Sequence, residues 1–320
     1  MNYKERQKEI QKSYFGESKL GGKYRNKHYD HFLIEEENNF ICHEVYIDAK
    51  KYFEENGIQW WNGKKPTSNT LSSQIACINH LFPIRKDKKA VLALIQSIDP
   101  GFVDVEILNN DKVNAGYISF EVVSKIDHLN EGRGKKNELS RGCQCTSVDA
   151  VILAKKKGKM ILVTFEWKYT ELYYNEDKSK NPKDKNSGET RLNRYCELIT
   201  HSDQLLSCID GYKGTDYFFE PFYQLMRQTL WAEQMVKFKD DEVIKADDYI
   251  TVHVIPKGND RLREKEYKCS GKNLLDTWRE RLVDPNKYVL LSPEELFNGL
   301  SQGKWHDLYK ELGKRYWQDL

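Results

Sequence analysis

The chain has 320 residues, with 51 lysines and arginines against 49 aspartates and glutamates, 39% hydrophobic residues and 12% aromatic ones. That length can bury a sizeable core without staples, as one elaborated domain or two small ones, and the composition excludes a disordered chain. A net charge of +2 excludes a histone-like or polybasic protein, so any hold on nucleic acid must come from local patches.

No apolar run approaches the roughly 18–20 residues that a membrane-spanning helix needs. The start, Met1 to Glu9, lacks the apolar stretch of a signal peptide. The expectation is a soluble, cytoplasmic protein with no membrane partner. The seven cysteines are odd in number and include no C-x-x-C pair. They read as reduced, mostly buried thiols, and the one-residue gap of Cys143-x-Cys145 is unusual for a zinc knuckle.

In chain order, a helix is expected from Tyr3 to Phe15, broken off by Gly21-Gly22, and another through Lys50, Tyr52 and Glu54. Leu71, Ile75, Ile78, Leu81 and Phe82 recur at helical spacing until Pro83 stops them. Ala90 to Ile98 is a further helix, closed by Asp99-Pro100-Gly101. Gly116 to Val123 is rich in β-branched and aromatic residues, and the charged stretch from Asp127 to Cys143 reads as a loop. Val148–Ala154 and Met160–Lys168 are strands around Lys157-Gly158. Both faces of this pair are apolar, Val151, Leu153 and Leu162 on one, Ile152, Ile161, Val163 and Phe165 on the other, so it lies centrally in a covered sheet. Asn175 to Ser187 reads as a solvated loop. Helices are expected from Leu192 to Ile209 and from Pro221 to Lys237, strands at Tyr249–Pro256 and Tyr288–Leu291, and helix beyond. The order implies an α/β fold, a mixed central sheet flanked by helices.

The chemistry concentrates at Asp149 and Glu166-Trp167-Lys168. With Lys157-Gly158 as a two-residue turn, Lys156 faces Lys159, and counting outward brings Asp149 opposite Glu166. Their Cβ atoms are then about 4.5–5.5 Å apart. Lys168 shares that face and Trp167 points away. Two carboxylates and an ammonium at the end of greasy strands need a partner, because unpaired buried charges are expensive. A hard divalent cation would suit the carboxylates. A plain cross-strand ion pair is the alternative, and residue type alone leaves the two open.

Asp-(x16)-Glu-x-Lys on neighbouring strands resembles the PD-(D/E)XK, or restriction-endonuclease-like, superfamily. Thr146-Ser-Val-Asp-Ala150 and Phe165-Glu-Trp-Lys-Tyr-Thr-Glu171 look like a bacterial restriction-endonuclease subgroup. So do Leu71-Ser-Ser-Gln-Ile-Ala-Cys-Ile-Asn79 and Pro221-Phe-Tyr-Gln-Leu-Met-Arg-Gln228. The likeness covers roughly Thr70 to Pro256. It departs from the motif at Val148, where the name has proline, and at Gln74, where the first core helix often carries glutamate.

The resemblance implies a helix–three strands–helix–strand core at 66–260, with an N-terminal extension at 1–65 and a mostly helical C-terminal one at 261–320. It implies a Mg²⁺-dependent endodeoxyribonuclease of restriction or another defence against foreign DNA, with Mn²⁺ as a substitute. Asp149, Glu166 and Lys168 would be catalytic, and Asp149, Glu166 and the Trp167 carbonyl would hold the metal. A neighbouring dication and burial would both favour a deprotonated Lys168. An inactive nucleic-acid-binding or scaffolding module, or an RNase, stands as the alternative.

Glu121 is either a third acidic ligand or a strand-edge charge, and Gln74 either reaches the site or bonds locally. Gln224, Arg227 and Gln228 share a helix face that could bind a phosphate or simply be solvated. Glu171 reads as loop charge and His253 as a satisfied core histidine. Trp60-Trp61 could stack on bases or pack in the core. The basic runs at 85–89, 133–136 and 155–159 and the loop from Lys178 to Lys185 could hold DNA phosphates or be solvated. A duplex cutter with one site per chain needs dimerisation or two successive nicks. No ATP-binding motif appears, and none is expected.

Overall fold

The structure, a computed structural model, describes residues 1–61, 63–132, 138–142, 145–180 and 185–318, the side chains of 185 and 186 excepted. Helix α1 (Tyr3–Phe15) starts at Asn2, whose side chain accepts the Glu5 N–H at 3.0 Å. A short hairpin of β1 (Lys23–Tyr24) and β2 (Lys27–His28) precedes α2 (His43–Asn56), α3 (Ser73–Leu81) and α4 (Lys88–Gln96). Ser72 caps α3 and Asp87 caps α4 by accepting N–H groups of their first turns, which supplies orphan donors with partners. All four helices fall where the sequence reading puts them.

The central sheet contains β3 (Phe102–Glu106), β4 (Ser119–Val122), β5 (Val148–Lys156), β6 (Lys159–Trp167), β7 (Asp248–Val254) and β8 (Tyr288–Leu291). Its order is β3-β5-β6-β7-β8, with β4 also paired to β5. The pairs involving β5 are antiparallel, and β6, β7 and β8 run parallel, so the sheet is mixed as expected. Lys157 and Gly158 carry φ of 48° and 78°, the double positive φ of a type I′ hairpin turn. The register that turn dictates is the one observed, from Lys156 opposite Lys159 to Ala150 opposite Phe165.

Three features differ from expectation, the first being the β1–β2 hairpin, where the sequence reading has no strands. Strand β3 is not anticipated, because a register shift between Phe102 and Asp104 breaks the period of two that marks a strand in sequence. Helix α5 spans Lys185–Thr200 rather than 192–209. Its expected second half is drawn out of helical geometry by competing partners. Ser202 Oγ and the Asp203 N–H donate to Glu233, and the Leu206 N–H donates to the Arg281 carbonyl at 2.9 Å. Helix α6 (Phe222–Lys237) follows, and α7 (Asp260–Arg263), α8 (Leu274–Arg279), α9 (Pro293–Phe297) and α10 (His306–Leu312) lead to a π-helical turn at Gly313–Trp317.

Alternation along β5 and β6 builds two cores. Ile152, Ala154, Val163 and Phe165 pack with α2, α3, α4 and the C-terminal helices; Val151, Leu153 and Leu162 pack with α5, α6 and α8. A one-residue slip would exchange these faces, which is why the register is firmly set. On the first face the chain's two ends meet at Arg315, which is fully buried and has no carboxylate partner among the described residues. It donates to the Asn39 carbonyl at 2.9 Å and Asn39 Oδ1 at 2.6 Å, and lies 4.7 Å over the Tyr316 ring. Arg315→Ala is expected to destabilise the fold by about 3 kcal/mol, since it strands those acceptors in the interior. Lys304→Ala, which removes an exposed partner of Asp87 and of the Trp305 ring, should stay within about 0.5 kcal/mol. Urea unfolding of both variants checks the contrast.

No helix among the described residues is long and apolar enough to cross a membrane. The six described cysteines are free, but only Cys77 is buried, so the expectation of mostly buried thiols is corrected; Cys143 lies outside the described residues.

Candidate active site

Three neighbouring strands end in a row of carboxylates. Phe120 pairs with Ala150 and Val122 with Val148, which sets Glu121 across from Asp149. On the other side, β5 and β6 pair down to Ala150 and Phe165, so Asp149 and Glu166 come next in register. Asp149 Oδ2 accepts the Trp167 N–H at 2.7 Å, which ties the two strand ends together. Glu121 has a φ of 48°, and this left-handed kink sends Phe120 into one core and Val122 into the other. A non-glycine residue there costs on the order of 1 kcal/mol. The kink turns the Glu121 carboxylate toward Gln74 of α3, whose Nε2 donates to Oε1 at 2.6 Å, and toward Ser147, whose hydroxyl donates to Oε2 at 2.9 Å.

Helix α6 supplies the facing wall. Gln228 Nε2 donates to Glu166 Oε2, and Lys168 Nζ donates to Glu166 Oε1. Lys168 also donates to Gln224 Oε1 at 2.5 Å, while the Gln224 amide donates to Tyr173 Oη at 3.2 Å and Glu220 at 3.0 Å. The solvated reading of this helix face is therefore corrected: Gln224 and Gln228 hold Lys168 and Glu166. Arg227 points sideways instead, its Nε donating to Glu131 Oε1 and Thr146 Oγ1, both at 3.0 Å. Glu131 in turn accepts the Thr146 N–H and the Tyr195 hydroxyl. This strut braces Thr146-Ser-Val-Asp149, the segment that delivers the central carboxylate. Arg227→Ala leaves the buried Glu131 charge uncompensated and is expected to cost about 3 kcal/mol, read as a lowered thermal midpoint that Arg227→Lys partly restores.

Electrostatics follow from this crowding. Burial pushes the Asp149 pKa well above the carboxylate range, and the charges of Glu166 and Glu121 push it further. Burial raises Glu121 as well, against the hydrogen bonds from Gln74 and Ser147. For Lys168, burial favours the neutral amine, but Glu166, Tyr173, Glu171 and Asp149 outweigh it and lift the pKa well above the usual lysine value. Lys168 is thus an ammonium in this state, contrary to the expectation that burial would help deprotonate it.

Among the described residues no three His, Cys, Asp or Glu side chains are arranged to hold a metal ion by themselves. Lys168 and Gln228 occupy Glu166, and Gln74 and Ser147 occupy Glu121. The donors still suit a hard cation: Asp149 and Glu166 beside a strand-end carbonyl, in a site where buried like charges repel. Because the Lys168 N–H donates to Val254 of β7, alternation turns the Trp167 carbonyl to the opposite edge, toward Asp149. One or two carboxylates with water completing the shell is the usual protein environment of Mg²⁺.

The nine residues singled out in the sequence, Gln74, Glu121, Asp149, Glu166, Trp167, Lys168, Gln224, Arg227 and Gln228, all line one cleft of about 780 Å³. Trp61 lines it too, which corrects its core-packing alternative, and so does Glu171, a charge in the loop after β6. Glu171 Oε2 accepts the Tyr169 N–H at 2.6 Å. Trp60 does pack in the core, stacked on Phe53 at 3.9 Å. His253 is fully buried, with Nδ1 3.0 Å from Tyr288 Oη, but its Nε2 has no partner among the described residues, so it is only half satisfied.

The basic runs fare differently. Arg85 is buried against Asp111 at 3.7 Å, Lys156 pairs with Asp99 at the far end of the hairpin, and Lys178 pairs with Glu176 at 2.7 Å. The run at 133–136 lies outside the described residues, as does 181–184 of the Lys178–Lys185 loop. Sequence reasoning does not reach Glu131, Ser147, Tyr173 or Glu220, which become visible only once α6 is laid against the strand ends.

A family described as restriction endonuclease associating with ARP matches residues 7–317. No curated protein and no solved structure matches the chain. A match over nearly the whole length, enclosing every residue of the cleft except Lys4, means that the chain belongs to this restriction-endonuclease family.

Proposed function

We propose that the chain is a divalent-metal-dependent endodeoxyribonuclease acting in restriction of foreign DNA. Its core, in this reading, is the restriction-endonuclease-like one, α3, β4, β5, β6, the α5–α6 helices and β7, within 66–260. The observation that carries the proposal is the meeting of Asp149, Glu166 and Lys168, with Glu121 alongside, in an open cleft. An ion pair kept only for stability has no need of a cleft, nor of a second and third acid beside it.

Asp149, Glu166 and the Trp167 carbonyl would hold Mg²⁺ or Mn²⁺. Such an ion supplies a water of lowered pKa and a Lewis acid for the phosphoryl oxygen. Lys168 faces the same space from beside Glu166, positioned to orient the attacking water and to steady negative charge growing on the phosphate. Gln224 and Gln228 keep Lys168 and Glu166 aimed inward. The family's description places its members with ARP, and the proposal includes such a companion for this chain.

Plasmid DNA incubated with the purified protein is expected to be nicked or linearised in Mg²⁺ or Mn²⁺ and left intact in EDTA. DNA binding without cleavage under every metal condition would overturn the enzymatic reading in favour of a binding module. Degradation of RNA in preference to DNA would overturn the substrate assignment.

A further inference from the structure

Among the described residues three aromatic side chains are exposed: Trp61 at 69%, Tyr174 at 73% and Phe238 at 41%. Phe238 lies over the ring of His128 at 5.2 Å. Trp61 and Tyr174 pack on no other ring among the described residues, and both line the cleft that holds the carboxylates. They reach it from separate parts of the chain, Trp61 ahead of α3 and Tyr174 just beyond β6.

Trp61 is presented by a firmly anchored loop. Its neighbour Trp60 is wedged against Phe53, and Trp60 and Gly63 form a bridge on either side of it. The Gln59 N–H donates to the Arg141 carbonyl at 3.1 Å. Gly142 has a φ of 74°, and a Cβ there would stand 2.3 Å from the Gln59 carbonyl oxygen, so glycine is what lets the two segments touch. Gln74 completes the attachment: its Oε1 accepts the Trp61 N–H at 3.0 Å while its Nε2 holds Glu121. One side chain thus couples the exposed indole to the row of acids.

We propose that Trp61 and Tyr174 form a nucleobase-stacking subsite at the mouth of the cleft, so that the chain takes DNA whose bases beside the cut are unpaired or swung out of the duplex. The inference rests on the nuclease reading and adds the state of the substrate to it. A base inside a paired duplex shows no free face to an indole, whereas a single-stranded or extruded base does. Stacking serves every base alike, so the subsite grips without reading sequence, and the phosphate of a stacked nucleotide comes to lie toward Asp149 and Lys168. Two rings on separate segments suit the nucleotides on the two sides of the scissile bond.

The test compares wild type, Trp61→Ala, Trp61→Phe and Tyr174→Ala on a fluorescent 20-nucleotide strand, the same sequence fully paired, and a duplex with a central unpaired bubble. Binding is read in Ca²⁺ and cleavage in Mg²⁺. Wild type is expected to bind the strand and the bubble more tightly than the paired duplex, and to cut at the bubble. Loss of one stacking ring should weaken strand binding roughly 5- to 100-fold, with phenylalanine at position 61 retaining most of it. Thermal midpoints should not move, since both side chains are exposed. If both alanine variants bind and cut like wild type, the subsite is wrong and the nuclease reading stands. If wild type neither binds nor cuts any of the three, both fall together.

Discussion

Lys168→Ala is expected to abolish cleavage, with a fall of at least about 10³-fold at saturating metal, while DNA binding in Ca²⁺ stays within a few-fold of wild type. The lysine is 7% exposed, and its Nζ is shared between Glu166 and Gln224, so the amine is held in one place rather than free to sample solvent. Removing it deletes the ammonium that pairs with Glu166 and leaves the other residues of the cleft in place. Lys168→Arg should not restore the rate. A planar guanidinium cannot give up its proton and does not fit a slot built for a point charge between a carboxylate and an amide oxygen. Because alanine also leaves Glu166 short of a partner, the variant is expected to melt lower, and the assay must run well below that midpoint with circular dichroism confirming the fold. Cleavage by Lys168→Ala at a rate near wild type would show that the amine serves only to neutralise Glu166.

What the sequence could reveal about this site was what hairpin arithmetic can reach. A two-residue turn and strict alternation placed Asp149 against Glu166 and turned Trp167 to the other face, and the observed register agrees through the last pair before them. Glu121 illustrates the limit. Its seat beside Asp149 depends on β4 pairing with β5 across a long loop, and on a left-handed kink that no propensity scale announces for glutamate. Helix α6 illustrates another. Spacing put Gln224, Arg227 and Gln228 near one another, but only tertiary packing decided that the glutamines face the acids and the arginine faces Glu131. Arg85, Lys156 and Lys178 of the basic runs show a related limit: a lysine or arginine run says nothing of whether an acid waits nearby, and Arg85 is buried against Asp111.

Asp149→Asn is expected to stabilise the metal-free protein by about 1–2 kcal/mol while removing both cleavage and the response to divalent ions. Asp149 is half-buried and is the middle member of a row whose other members, Glu121 and Glu166, are buried at 8% and 5% exposure. Lys168 compensates Glu166, and Gln74 and Ser147 support Glu121, whereas Asp149 accepts the Trp167 N–H and pairs with no cation among the described residues. Asparagine can accept that same N–H through its amide oxygen, so the substitution keeps the strand tie and deletes a charge that burial and both neighbours oppose. In the proposed metal-bound enzyme a cation would relieve the repulsion instead, and an ion at a hundred times its dissociation constant adds about 2.7 kcal/mol to the folded state. Two melting curves of each protein, in EDTA and in millimolar Mg²⁺, separate these terms. Wild type should melt below Asp149→Asn in EDTA and gain several degrees with Mg²⁺, and the variant should not respond. If Asp149→Asn instead melts lower in EDTA and still gains with Mg²⁺, the aspartate is a structural member of the sheet and the ion binds elsewhere.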